Sequence, residues 1–263
     1  MRFFVKTGLL FFIVLLTFPK QAIGQQKENR EYHQLITYTI KNEEQEKKVD
    51  VYLRDSFIPA AKRNDIQNIG VFKLRPGKFV EQNKIFVLLP FNSLTQFEEL
   101  EKKLLTDKRY IESGSGFLNA SYNSPPFERI NSILMRAFEG MPKMKPSSIK
   151  NPRKERVYEL RSYESSTVAK YWNKVAMFNA GGEIALFSKL GFNAVFYSEV
   201  ISGNHMPNLM YMTTFKNMET RDTLWKAFFS SDKWSELKMD ENYKNNVSKA
   251  EIMLLYPTSY SDY

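Results

Sequence analysis

The 263 residues contain no cysteine, so the chain has neither disulfides nor a thiol for a lipid anchor, and its stability must come from a packed core. Histidine is nearly as scarce, with only His33 and His205. There is no HExxH and no grouping of histidines with carboxylates at ligand spacing, and therefore no metal site is expected. GxSxG, GxGxxG after a strand and the Walker sequence are missing too, which removes the usual nucleophile and phosphate signatures. No cofactor is expected. The chain also lacks an apolar run of the ~20 residues that a bilayer-crossing helix needs. The longest, Gly8 to Phe18, stops short at Pro19.

What is present at the front end resembles a secretory signal. Arg2 and Lys6 precede the apolar run, and Ala22-Ile23-Gly24 offers small residues before Gln25, the outline of a cleavable signal peptide over residues 1–24. The expected location is periplasmic or secreted, with no stable membrane span after cleavage. The formal charge is +9; without Arg2, Lys6 and Lys20 the basic excess falls from nine to six and is scattered. The densest basic stretch, Lys143 to Arg156, has prolines but no interleaved aromatics, so it reads as a linker and no nucleic acid is expected as a partner. With 43% hydrophobic and 14% aromatic residues, the rest can fill a sizeable core.

The chain repeats itself. "YHQLITY" (32–38) is echoed by "VYELRSY" (157–163), and "LTDKRY" (105–110) by "SSDKW" (230–234), both 125 positions apart. "GVFKL" matches "AVFYS", and "IFVLLPFNSL" matches "LMYMTTFKNM", at nearly the same offset. Each half closes on a further apolar strand, "SILMRAF" and "AEIMLLY". Two tandem copies of one unit are expected.

Periodicity gives each unit its elements. In the second, Arg156 to Tyr163 alternates like a strand; Trp172, Val175, Phe178, Ile184, Phe187 and Leu190 fall at helical spacing, with Gly191 as a C-terminal cap. Gly181-Gly182 within that pattern suggests a helix break or close packing. Two strands around "SGNHMPN", a helix presenting Leu224, Trp225 and Phe228, and a last strand complete the order βαββαβ, a ferredoxin-like unit. Each sheet then has one face bare of helices, and two such faces should cover each other. The expected fold is α+β: two ferredoxin-like units, residues 30–139 and 155–263 joined by a linker at 140–154, packed sheet to sheet as an intramolecular α+β barrel.

"RVYELRSY", "MFNAGGEIALFSKLGFNAVFYSEV", "PNLMYMTTFKNMETRDTLW" and "DKW", in that order across residues 155–260, resemble the NIPSNAP family of the dimeric α+β barrel superfamily. Gln34 to Phe138 resembles it more loosely and lacks the Gly-Gly helix. The resemblance implies the barrel fold more than any chemistry. Eukaryotic members are associated with mitochondria, vesicle traffic and mitophagy signalling through protein partners. A secretory signal in place of a transit peptide points instead to an exported bacterial protein.

Strand alternation yields the candidate site. If Tyr158 and Leu160 face the helices, then Glu159, Arg161 and Tyr163 project between the two sheets, where they would either orient a small ligand or close into a salt-bridge network. The first half has Gln34, Ile36 and Tyr38 there, so the charge pair belongs to one copy. Tyr197, Glu199, His205 and Tyr211 lie on or beside neighbouring strands and complete the candidate ligand-binding set; no catalytic residue is assigned. Two functions follow. One is a non-catalytic module binding a small molecule or a protein partner, with homo-oligomerisation left open. The other is a cofactor-independent oxygenase- or isomerase-like enzyme in which Glu159, Arg161, Tyr163 and His205 polarise a substrate.

Overall fold

Residues 29–76 and 83–263 are described by the computed structural model; the expected signal peptide lies outside them. The first half runs β1 (Tyr32–Ile40), α1 (Glu43–Tyr52), a π turn (Leu53–Phe57), α2 (Ile58–Arg63), β2 (Gly70–Leu74), β3 (Asn83–Phe91), α3 (Leu94–Leu104), α4 (Lys108–Ser113), α5 (Ser115–Leu118) and β4 (Arg129–Ala137). The second runs β5 (Val157–Glu164), α6 (Val168–Phe178), α7 (Glu183–Leu190), β6 (Asn193–Ser202), β7 (Asn208–Phe215), α8 (Met218–Phe229), α9 (Asp232–Met239), a 3-10 turn (Glu241–Tyr243) and β8 (Lys249–Pro257). Helix starts are set locally. Asn42, Ser93, Thr167, Asn217 and Ser231 are each extended, and each accepts a hydrogen bond from the amide three residues on, which satisfies a donor the helix cannot.

All strand pairs are antiparallel, and they close a ring in the order β1-β3-β2-β8-β5-β7-β6-β4. The halves do more than face each other: their edges hydrogen-bond into one eight-stranded barrel, the dimeric α+β barrel architecture made by a single chain. Two seams join them. β2 meets β8 through Phe72↔Pro257, Lys73↔Tyr256 and Leu74↔Leu255. β4 meets β6 through Leu134↔Ser202, Met135↔Val200, Arg136↔Glu199 and Ala137↔Ser198, with a register shift after Leu134.

Apolar side chains fall into three cores. Leu35, Phe72, Phe86, Leu88, Tyr158, Leu160, Phe196, Met210, Met212 and Leu255 meet inside the barrel. Tyr38, Ile40, Val49, Tyr52, Leu53 and Leu100 lie between the first half's sheet and its helices. Val157, Phe178, Phe187, Tyr197, Tyr211, Trp225 and Phe228 do so in the second. Burial on both sides is why strands such as β7 are buried at every residue. The segment 140–154 exposes its lysines but buries Met141 and Met144, and the Lys145 amide donates to the Val195 carbonyl.

Candidate functional site

On β5, Glu159 is wholly buried and accepts from three side chains. Arg161 Nε donates to its Oε1 at 2.6 Å, while Arg221 Nε and Trp225 Nε1, both on α8, donate to its Oε2 at 2.6 and 2.9 Å. The Arg161 guanidinium carbon sits 3.6 Å from the centre of the Trp225 ring, and its Nη1 donates to the Tyr163 hydroxyl. Tyr163 and Tyr211 share a hydrogen bond of 2.9 Å, and Tyr197 stacks on Tyr211. Burial opposes the charge on Arg161, yet the surrounding phenols and the Glu159 carboxylate hold its pKa above the ordinary guanidinium range. Burial drives the Tyr211 phenol well upward. Nearby, Lys174 on α6 pairs with Glu183 of α7 at 2.7 Å, also buried. Each of these buried charges has an ion-pair partner, and Arg161 is stacked on Trp225.

The position of this group corrects the expectation drawn from alternation. Tyr158 and Leu160 point into the barrel, and Glu159, Arg161 and Tyr163 point at the helices. The reversal has a physical reason. Both faces of the sheet are buried, so an apolar set does not identify the helix side; α8 supplies Arg221 and Trp225, which make the helix side the one that can satisfy a carboxylate. Between the sheets, Leu35, Phe72, Phe86, Tyr158, Leu160, Phe196 and Met212 cluster together.

The remaining candidates separate. His205 stands in the β6–β7 turn at φ 63°, half exposed, 3.4 Å from Glu164. Glu199 projects at the β4–β6 seam and belongs to a second charged group, of which the sequence reading named Glu199 but not Arg30 or Arg136. Its Oε2 accepts from Arg136 Nη2 at 2.7 Å and its Oε1 from Arg30, whose Nε also donates to the Ala137 carbonyl. The Arg136 Nε is buried without a hydrogen-bond partner among the described residues. Beside this group a groove of about 510 Å³ is lined by Arg136, Val168, Tyr171, Trp172, Glu199, Val200, Ile201, Met206 and Pro207. Burial, reinforced by the Glu199 charge, raises the pKa of the Tyr171 phenol. Trp172, which helical spacing placed with the core, is about half exposed on the groove rim, as are Val168 and Met206; the buried face of α6 runs through Tyr171, Val175 and Phe178 instead. Nothing in local periodicity signals the groove. Arg136 and Glu199 belong to different halves, and only the seam register makes them neighbours.

The other seam is built differently. There Lys73 is opposite Tyr256, and Lys73 donates to Glu46 and Asp50 of α1 at 2.7 and 2.6 Å. Among the described residues that strand-to-helix gap is bridged by ion pairs, where the β6-to-α6 gap holds a groove with an apolar wall and a charged end.

A third polar group lies inside the barrel: His33 Nδ1 is 2.8 Å from Ser198 Oγ, and its Nε2 is 3.5 Å from Glu31. His33 is fully buried against Phe196. Among the described residues no cluster of three or more histidine, aspartate or glutamate side chains could hold a metal, and no helix is long and apolar enough to cross a membrane.

The NIPSNAP family model matches residues 156–262. A candidate monooxygenase of Fusobacterium nucleatum subsp. nucleatum superposes with a TM-score of 0.58 at 8% identity, over 88% of this chain and 93% of that one. One from Lactobacillus acidophilus gives 0.56 at 8% identity over 87% and 94%, and an anthrone oxidase-like protein gives 0.51 at 12% over 88% and 93%. At such identities the likeness is one of fold. No curated protein matches the chain.

Proposed function

With residues 156–262 forming a NIPSNAP domain, we propose that the chain is an exported, non-catalytic module that binds a small molecule in the groove at the β4–β6 seam. The observation that carries this reading is the difference between the two seams. Two copies of one unit would give two equivalent strand-to-helix gaps; among the described residues one is bridged by Lys73, Glu46 and Asp50, and the other leaves about 510 Å³ lined by Trp172, Val168, Met206 and Pro207. Concave, mostly apolar space with a few placed polar groups is the usual form of a small-molecule site. Exposed apolar side chains gathered in one place also carry a solvation cost that a ligand would relieve.

The enzyme reading has less support. The oxygenase-like names belong to proteins similar in fold alone, and the one carboxylate lining the groove, Glu199, already holds two guanidiniums, which suits it to positioning rather than to proton abstraction. Native mass spectrometry of the protein purified from its own cells tests the proposal. A bound small molecule that is lost in Trp172→Ala supports it. A bare protein mass in both forms, with no Trp172 fluorescence response to small apolar compounds, would sink it.

A further inference from the structure

The polar end of the groove is unevenly charged. Glu199 shares its two oxygens between Arg30 and Arg136, so two cations meet one buried anion. Arg30 has a second carboxylate, the exposed Glu139, at 3.8 Å, and its Nε is used by the Ala137 carbonyl. Arg136 has a single hydrogen bond, from Nη2 to Glu199, and its side chain is 38% exposed beside the groove. A partly exposed guanidinium that spends one N–H on a carboxylate keeps further donors for an oxyanion. Away from Arg136 the lining changes character: Val168, Trp172, Ile201, Met206 and Pro207 offer rings and aliphatic surface.

We infer that the groove selects a free, single-chain anionic amphiphile, with its carboxylate or equivalent oxyanion on Arg136 and its apolar body along Trp172, Met206 and Pro207. This rests on the small-molecule reading of the groove and adds the ligand's charge and shape. The Glu199 carboxylate contributes by holding Arg136 in place through Nη2 and by discouraging a ligand with two or more negative charges.

Decanoate, decanol and decyltrimethylammonium, matched in chain, separate the two claims when titrated calorimetrically into the full-length protein and followed by tryptophan fluorescence. Decanoate should bind at least about tenfold more tightly than decanol, since only the anion gains a charge-assisted bond, and the cation should bind worst. Arg136→Met should bring decanoate down to the level of decanol without weakening decanol, and Trp172→Ala should weaken both. Because Glu199 keeps Arg30 in the Arg136 variant, the fold should survive; Arg136→Lys, which keeps the charge but lacks the planar set of donors, provides a second variant and should lose part of the preference. Equal binding of decanoate and decanol would overturn the inference and leave the small-molecule groove standing. Binding of neither would overturn both. Co-sedimentation with phosphatidylglycerol vesicles without decanoate binding would overturn the free-ligand inference in favour of an anionic membrane surface.

Discussion

Glu159 shows how much can depend on one carboxylate. Two guanidiniums and an indole N–H converge on it with no exposure to water, and a buried charge stripped of its partner is far more costly than the pair was favourable. Glu159→Gln should therefore destabilise the protein by roughly 3–5 kcal/mol, read from urea denaturation, because buried Arg161 loses its carboxylate partner while Arg221 is left with Asp222 alone. An effect below about 1 kcal/mol would mean that water reaches the network. His33 makes the complementary case. Burial lowers its pKa from 6.5, with Glu31 offsetting part of the effect, so the folded state resists protonation more than the unfolded state does. Stability is then fully present above about pH 6.5 and lost as the pH falls below it. Denaturation midpoints should drop between about pH 7.5 and about pH 5.5 in the native sequence and drop less in His33→Gln. At this scale the sequence was half readable. Alternation brought Glu159, Arg161 and Tyr163 together but could not assign their face, because both faces of β5 are buried; Arg30 and Arg136 escaped because their partner comes from the other half of the chain.

Helices α6 and α7 are separated where glycine permits what no other residue would. Gly182 adopts φ 90°, and a Cβ on Gly181 would lie 2.6 Å from the Met177 carbonyl oxygen, a backbone atom that cannot step aside. The break brings Glu183 back onto Lys174 and lets α7 lay Phe187 on Phe228. Gly181→Ala should lower the melting temperature more than Gly182→Ala, whose strain is on the order of 1–2 kcal/mol; thermal unfolding followed by circular dichroism would show it, and the reverse order would mean that the turn can rearrange. The paired glycines, the Gly191 cap and the strand-helix order were legible because each has a local cause. The outward turn of Trp172 was not. Its spacing from Val175 and Phe178 fits a buried stripe, and only the open gap beside β6 leaves it exposed.

For the whole molecule, the ring of strands is unevenly tied. β1 and β3 are in register over nine residue pairs, from Tyr32↔Phe91 to Ile40↔Asn83, while β2 and β8 share three. Opening should begin at that short seam, so amides of 71–74 and 255–257 should exchange deuterium before those of 32–40; simultaneous exchange would indicate a barrel that opens only as a unit. That two such sheets would cover each other was readable from their uncovered faces, whereas the seam register depends on contacts between distant segments and left no local mark. The two seams, one bridged by Lys73 and the other presenting Arg136 and Glu199, have a consequence for stoichiometry. A barrel made of two identical subunits must repeat every binding feature by symmetry, but one continuous chain with unlike seams is free to have a single one. The groove at the β4–β6 seam should accordingly saturate at one equivalent per polypeptide, with a simple hyperbolic isotherm and no cooperativity between halves.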